Sequence, residues 1–353
     1  MQTIRNVSFK LSQTLWGKIW RNRLKPFIPK LEMFSPWGRF APAAGNLSWS
    51  RAPNIYYMKG NLNATGKVKG KKGNNNKGPT DKGLENIYSF ITEKYGLNPL
   101  NNLTPKECRK IIMSRVHSLG CSDYTKYLNI LKTKEGENES QELLCSLVVP
   151  ETSFFRMPGQ FRRLQKILPE IIENKKQKRL RIWSAGCATG EEPYSIAMLL
   201  LKEPSLKGWN IEILATDIID KFLEHARKGE YAPNFKKIDK EFQELFREFT
   251  VKKEGRYIIK DEVKRIIAFE NHNLMDKSKY NPDLIVCRQV IIYFAKEKQK
   301  KTLAEFYEKL KEGGYLLLGF SEAIFSLEPR FIPRKEENSL IYQKPVGEKG
   351  KKK

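Results

Sequence analysis

The chain has 353 residues, 65 Lys and Arg against 40 Asp and Glu, a formal net charge of +25 and 40% hydrophobic residues. That length holds one large domain or two ordinary ones and supplies enough apolar side chains for a buried core. Five cysteines with no CxxC pair and no Cys/His cluster exclude a disulfide framework and a zinc site, so a cytoplasmic protein without a bound metal is expected.

The charge is uneven. Residues 1–80 carry one acid, Glu32, against 15 Lys and Arg, a field that attracts nucleic acid, anionic lipid and acidic protein alike and therefore names no partner. Leu15, Ile19, Leu24 and Ile28 fit a basic amphipathic helix as far as Pro26; a transit peptide and an unordered extension fit the same stretch. No run reaches the roughly 20 apolar residues of a membrane-spanning helix. Gly, Asn and Lys dominate 61–82, which reads as a linker, so 1–83 is taken as a basic low-complexity extension.

Order begins near Leu84. Apolar residues at helical spacing (Leu84, Ile87, Phe90, Ile91), a cap at Thr104-Pro105 with Glu107, and further amphipathic stretches at 124–131 and 140–149 predict a small helical domain over 84–150. The polar and aromatic link 151–161 follows. Within it Thr152 and Arg156 are placed to reach a ligand, and Phe154, Phe155 and Phe161 are expected to pack the seam between helical domain and sheet.

From Leu180 to Gln343 strands alternate with helices. Segments 181–184, 212–216, 265–271, 284–287 and 315–319 predict a mostly parallel sheet with helices on both faces. The first is the most informative: an apolar strand to Trp183, small residues Gly186, Ala188 and Gly190 where a ligand can approach the backbone, then a helix start at Glu191-Glu192-Pro193. No Lys-Ser/Thr follows Gly190 and no third glycine opens the helix, which excludes a phosphate loop and a dinucleotide fingerprint. Two carboxylates there would repel a pyrophosphate and suit a cationic ligand, pointing to S-adenosylmethionine with its sulfonium and ammonium; complementing the helix dipole is the plainer role of either acid.

Other candidates follow at the carboxyl ends of later strands. Asp217 suits the two hydroxyls of a ribose, or a helix cap. Asn273-Leu274 offers an amide and an apolar wall for an adenine edge, and Arg288, Gln289 and Tyr293 follow the strand ending at Cys287, itself read as a buried hydrophobe. His117, His225 and His272 form no constellation. Residues 346–353 read as a basic tail.

Taken together, Thr-Ser-Phe-Phe-Arg (152–156), Trp-Ser-Ala-Gly-Cys-Ala-Thr-Gly-Glu-Glu-Pro-Tyr-Ser (183–195), Ala-Thr-Asp-Ile (215–218), Asn-Leu (273–274), Cys-Arg-Gln-Val-Ile-Ile-Tyr-Phe (287–294) and Gly-Gly-Tyr-Leu-Leu-Leu-Gly-Phe-Ser-Glu (313–322) resemble the chemotaxis receptor methyltransferases, which are protein-glutamate O-methyltransferases. The resemblance runs in order from about Leu84 to Gln343. It implies an α/β fold: a Rossmann-like S-adenosylmethionine-dependent methyltransferase domain over 151–345, an N-terminal all-helical domain, and a small antiparallel β subdomain inserted at about 231–264. It implies Thr152, Arg156, Glu192, Asp217, Asn273, Leu274, Arg288 and Gln289 as cofactor contacts, joining Gly186, with Tyr293 close to the transferred methyl. Two departures stand out: Pro150 where the family usually has Asn, and Gln289 where it usually has Asn.

The implied reaction is methylation of glutamate side chains on methyl-accepting receptors. A glutamate, with a reference pKa of about 4.3, is ionised at neutral pH and needs no strong base to attack a sulfonium-bound methyl. Positioning is then the main requirement; Arg156 is assigned to holding the substrate carboxylate and the cofactor carboxylate region in register, and Tyr293 to bounding the methyl. The implied partner is an acidic helical receptor bundle, met by Lys106, Arg109, Lys110 and Arg115, with a receptor tail peptide as a possible added strand on the hairpin 250–260. A monomer is expected. The competing readings are a methyltransferase for nucleic acid or another substrate, and a catalytically weak cofactor-binding regulatory module.

Overall fold

The computed structural model describes residues 79–346, apart from 149, 174, 320, 321, 323, 325, 337 and 338. The basic extension as far as residue 78, the tail from 347, and Phe320-Ser321 of the last motif lie outside the described residues.

Helix α1 (Pro79–Tyr95) buries Leu84, Ile87 and Ile91 of the four positions its spacing singles out, with Phe90 half-buried. Helix α2 (Pro105–Ser118) opens with a capping box between Thr104 and Glu107 and with Pro105 in its first turn. Helix α3 (Tyr124–Leu131) is capped by Asp123, whose carboxylate accepts the amides of Thr125 and Lys126. Helix α4 (Glu137–Leu147) completes the group. Its Glu139 is buried, accepting a hydrogen bond from the Tyr127 hydroxyl at 2.7 Å and forming an ion pair with Arg115. The apolar faces of these helices share one cluster with Ile219, Phe222, Met275 and Phe294.

Helix α5 (Pro158–Glu173) leads into a sheet that alternates with helices: β1 (Arg179–Ala185), α6 (Glu191–Lys202), β2 (Asn210–Asp217), α7 (Asp220–Lys228), β6 (Ile267–Asn271), β7 (Leu284–Cys287), α10 (Lys296–Lys309) and β8 (Tyr315–Leu318), closed by the hairpin β9 (Ile332–Glu336) and β10 (Ser339–Gln343). The sheet order is β6-β2-β1-β7-β8-β10-β9. The first five strands are parallel and the last two antiparallel. Strand order reverses between β1 and β7, the kind of crevice where open α/β sheets bind ligands.

Between α7 and β6 lies a second, antiparallel sheet. Strands β3 (Glu230–Tyr231), β4 (Thr250–Lys253) and β5 (Arg256–Ile259) are ordered β3-β5-β4, with α8 (Lys240–Glu248) and α9 (Asp261–Lys264) beside them. Glu254 and Gly255 both have positive φ, 50° and 78°, as a two-residue hairpin turn with the twist of its strands requires.

The link after α4 departs from expectation. Phe154 packs edge-on against Tyr231 and Phe246, with centroids 4.9 and 4.7 Å apart, and Phe155 stacks on Phe242 at 4.6 Å. These rings fasten the inserted subdomain to the sheet and do not form the seam with the helical domain. The cause is local: Phe155 and Met157 sit at φ 52° and 60°, a left-handed backbone that turns the chain toward residues 231–249. The seam is built instead by residues 94–101 and by Gln141 of α4, whose side chain donates to Ile218 O and accepts the Asp220 amide. The Asn98 amide donates to Tyr293 O at 2.8 Å, the Asn101 side chain to the carbonyls of Ile292 and Phe294, and the Ala295 amide to Gly96 O.

Candidate active site

The turn from β1 to α6 holds Gly186, Ala188 and Gly190 at φ 80°, 45° and 97°. A β-carbon on Gly190 would come within 2.8 Å of the Tyr231 hydroxyl and the Ala226 Cβ, and one on Gly186 would overlap the Val290 side chain. The bare backbone is thus demanded first by packing against β3 and the turn after β7, before any ligand is considered. The turn is pinned on several sides. The amides of Gly186 and Cys187 donate to Thr216 O, and the Tyr231 hydroxyl donates to Thr189 O at 2.6 Å. Thr189 in turn donates to Glu191.

Carboxylates converge on this corner. Asp217, at the end of β2, accepts the Ala188 amide at 2.9 Å and the Ile219 amide at 3.0 Å. Burial pushes its carboxyl up, opposed by those amides. A carboxylate offers about four lone-pair sites, so both oxygens keep acceptor capacity. Glu192 accepts from the Ser184 hydroxyl at 2.8 Å and faces Arg288 at 3.4 Å. Burial raises Glu192 and lowers Arg288 from their ordinary values, each opposed by the other's charge; a pair at that separation does not recover the desolvation of either member. Arg288 also donates to Arg156 O, lies over the Phe161 ring at 5.2 Å, and has a buried Nε with no hydrogen-bond partner among the described residues.

Other predicted residues are drawn in by backbone. Arg156 folds back on Glu151, donating to its carbonyl and pairing with its carboxylate at 3.3 Å, while keeping 27% of its side chain exposed. Thr152 is half-buried beside it. Asn273 donates to Lys94 O and accepts from the Met275 amide at 3.0 Å, so its amide fastens the helical domain and retains one N–H for a ligand. Leu274 packs against both neighbouring apolar clusters. Tyr293 closes a 3-10 turn, Ile291–Tyr293, and burial raises its phenol. Gln289 adopts φ 60°.

Two residues at this corner were given no role from the sequence. Tyr231 lies 42 residues from its partner Thr189. The buried Glu322 carboxylate accepts the Gln289 amide from a different strand end. Glu322 closes the motif 313–322 and Tyr231 opens the inserted subdomain, but only the fold shows what they touch.

The arrangement offers buried negative charge, an unpartnered guanidinium nitrogen and ribose-type acceptors at the switch point of a parallel sheet, which suits a zwitterionic nucleoside carrying a sulfonium. The family model described as CheR methyltransferase, SAM binding domain, matches residues 150–339. The chain belongs to the CheR methyltransferase family. It is similar to a chemotaxis protein methyltransferase of Borreliella burgdorferi, 34% identical over 261 residues that cover 68% of this chain and 88% of that protein. Its identity to chemotaxis protein methyltransferase 2 of Vibrio cholerae is 31% over 243 residues, covering 67% and 84%. With the chemotaxis protein methyltransferase of Escherichia coli it is 34% over 230 residues, covering 63% and 78%. Like the CheR family as a whole, the chain is an S-adenosylmethionine-dependent methyltransferase with a Rossmann-like core. Among the described residues no helix is long and apolar enough to cross a membrane, and no cluster of His, Cys, Asp and Glu is arranged to hold a metal.

Proposed function

We propose that this chain methylates glutamate side chains of methyl-accepting chemotaxis receptors. The observation that carries this reading is the family match over residues 150–339, a span that contains every proposed ligand residue from Thr152 to Tyr293; relatives that share it are named chemotaxis protein methyltransferases.

The roles proposed are these. When bound, S-adenosylmethionine supplies an electrophilic methyl on its sulfonium. Asp217 accepts the ribose hydroxyls with the lone pairs left over from Ala188 and Ile219, and the remaining Asn273 N–H, with Leu274 as a wall, meets the adenine. Glu192 faces the ammonium, and the unpartnered Arg288 Nε faces the carboxylate of the methionine portion. Thr152, Gln289 and the Gly186 backbone complete the enclosure. Tyr293 bounds the methyl position. Arg156 holds the substrate carboxylate, which is already ionised and attacks without a general base.

The finer partner reading combines two surfaces. Lys106 and Lys110 are exposed on α2, and opposite charge on a receptor bundle would steer docking there. Arg115, expected on the same face, is turned inward to Glu139 and is withdrawn from that surface. Strand β4 is an edge of the inserted sheet, pairing with β5 alone, and its Val251 is 52% exposed; an extended receptor tail peptide fits such an edge.

The deciding experiment incubates the protein with methyl-labelled cofactor and receptor-containing membranes. Label should enter protein and be released as methanol by alkali, and Arg156→Ala should lower kcat roughly 100-fold. Label found in nucleic acid, or stable to alkali, would refute the glutamate reading.

A further inference from the structure

We infer that Glu322 is a positioning residue of the methyl-transfer site, clasping the turn after β7 to the end of β8 so that Arg288, Gln289 and Tyr293 stand where the cofactor requires them. This rests on the reading of that turn as one wall of the cofactor site.

Glu322 is 7% exposed and accepts four backbone amides. Its Oε2 accepts the Gly319 amide at 2.6 Å and the Gln289 amide at 2.9 Å. Its Oε1 accepts the Val290 amide at 3.0 Å and the Ile292 amide at 3.4 Å. The donors match the roughly four lone-pair sites of an ionised carboxylate, so a carboxamide of the same shape would turn an NH2 group against two of these N–H donors. The clasp also explains two local oddities. Gln289 holds a left-handed backbone at φ 60°, a conformation that costs on the order of 1 kcal/mol and persists where surrounding bonds fix it. A β-carbon on Gly319 would lie 2.7 Å from the Glu322 carboxylate, so the approach of the two strand ends needs the glycine.

The turn is gripped from the opposite side by the helical domain, through Asn98 and Asn101 on the carbonyls of residues 292–294. Glu322 therefore governs the amide side of a segment whose carbonyl side is already fixed. Removing it frees the segment on the side that faces Arg288 and Gln289.

The test compares Glu322→Gln and Glu322→Asp with Ile341→Ala, a cavity variant in β10 remote from the turn. Each is measured for thermal unfolding, for binding of S-adenosylhomocysteine by calorimetry, and for kcat and KM per folded molecule. Glu322→Gln should bind S-adenosylhomocysteine about tenfold more weakly, as loss of charge-assisted hydrogen bonds implies, and its kcat should fall roughly 100-fold with receptor KM unchanged. Glu322→Asp should recover part of both losses. Ile341→Ala should lose stability and keep both constants. Wild-type affinity and kcat per folded molecule in Glu322→Gln would overturn the inference; if that variant does not fold, wild-type constants in Glu322→Asp would do so. Should wild-type protein bind S-adenosylhomocysteine and methylate no receptor, the substrate reading fails while the binding comparison still decides the role of Glu322.

Discussion

In the role proposed for it, Asp217 is asked to do opposite things by folding and by ligand binding. Its carboxyl is raised above the ordinary 3.8 by burial, so its contribution to the stability of the unliganded fold is complete below the unfolded pKa and is lost as pH rises through the higher folded value. Affinity for S-adenosylhomocysteine should run the other way, falling as pH drops through that raised pKa because a protonated acid is a poorer acceptor for ribose hydroxyls. Calorimetry across the acidic range tests this: a decline beginning only below the ordinary aspartate range would refute it. Arg288→Ala gives a second test, since it would leave Glu192 buried without its countercharge. A loss of about 3–5 kcal/mol in urea denaturation is expected. At this scale the sequence was partly legible. Residues on strand ends, Asp217 and Arg288 among them, declare themselves by following apolar runs; Glu322 is visible as the end of a motif, but its partner Gln289 33 residues away, like the partner of Tyr231 42 residues away, is encoded by no local pattern.

Elements with one buried face were readable and those with mixed signals were not. Helix α3 and strand β7 lie at the boundaries their periodicity predicts, and the hairpin β4–β5 turns at Glu254-Gly255 as its composition suggests. Helix α5 was concealed by Pro158-Gly159 at its start and Pro169 within it, although Phe161, Leu164, Ile167 and Leu168 are buried at helical spacing. The edge strand β9 is not among the predicted strands, since Pro333, Arg334 and Lys335, residues that protect an edge, break the apolar pattern. Far from the cofactor corner, Asp283 ties elements together: it pairs with Lys175 at 2.5 Å and Lys311 at 2.8 Å and accepts the Arg181 amide at 2.8 Å. Asp283→Ala should destabilise the fold by about 3 kcal/mol through the uncompensated Lys175 and leave S-adenosylhomocysteine affinity of the folded protein intact. A drop in that affinity would show that the tie reaches the site.

For the whole molecule, the formal charge of +25 exaggerates what is available for docking, because several cations are committed internally. Lys106→Glu with Lys110→Glu should weaken receptor binding and flatten its dependence on salt, read by co-sedimentation with receptor membranes. Arg115→Glu should instead lower the melting temperature, since it places a second acid against the buried Glu139. The seam at residues 94–101 carries a consequence for cooperativity. Its hydrogen bonds end on Asn273 and on the carbonyls around Tyr293, and the apolar cluster of the helices includes Met275 and Phe294. The helices and the catalytic sheet should therefore melt as one unit in calorimetry. A fragment cut away from residues 79–150 would expose those side chains to water, release the turn that carries Tyr293, and behave as a sticky, inactive remnant, not as a minimal enzyme.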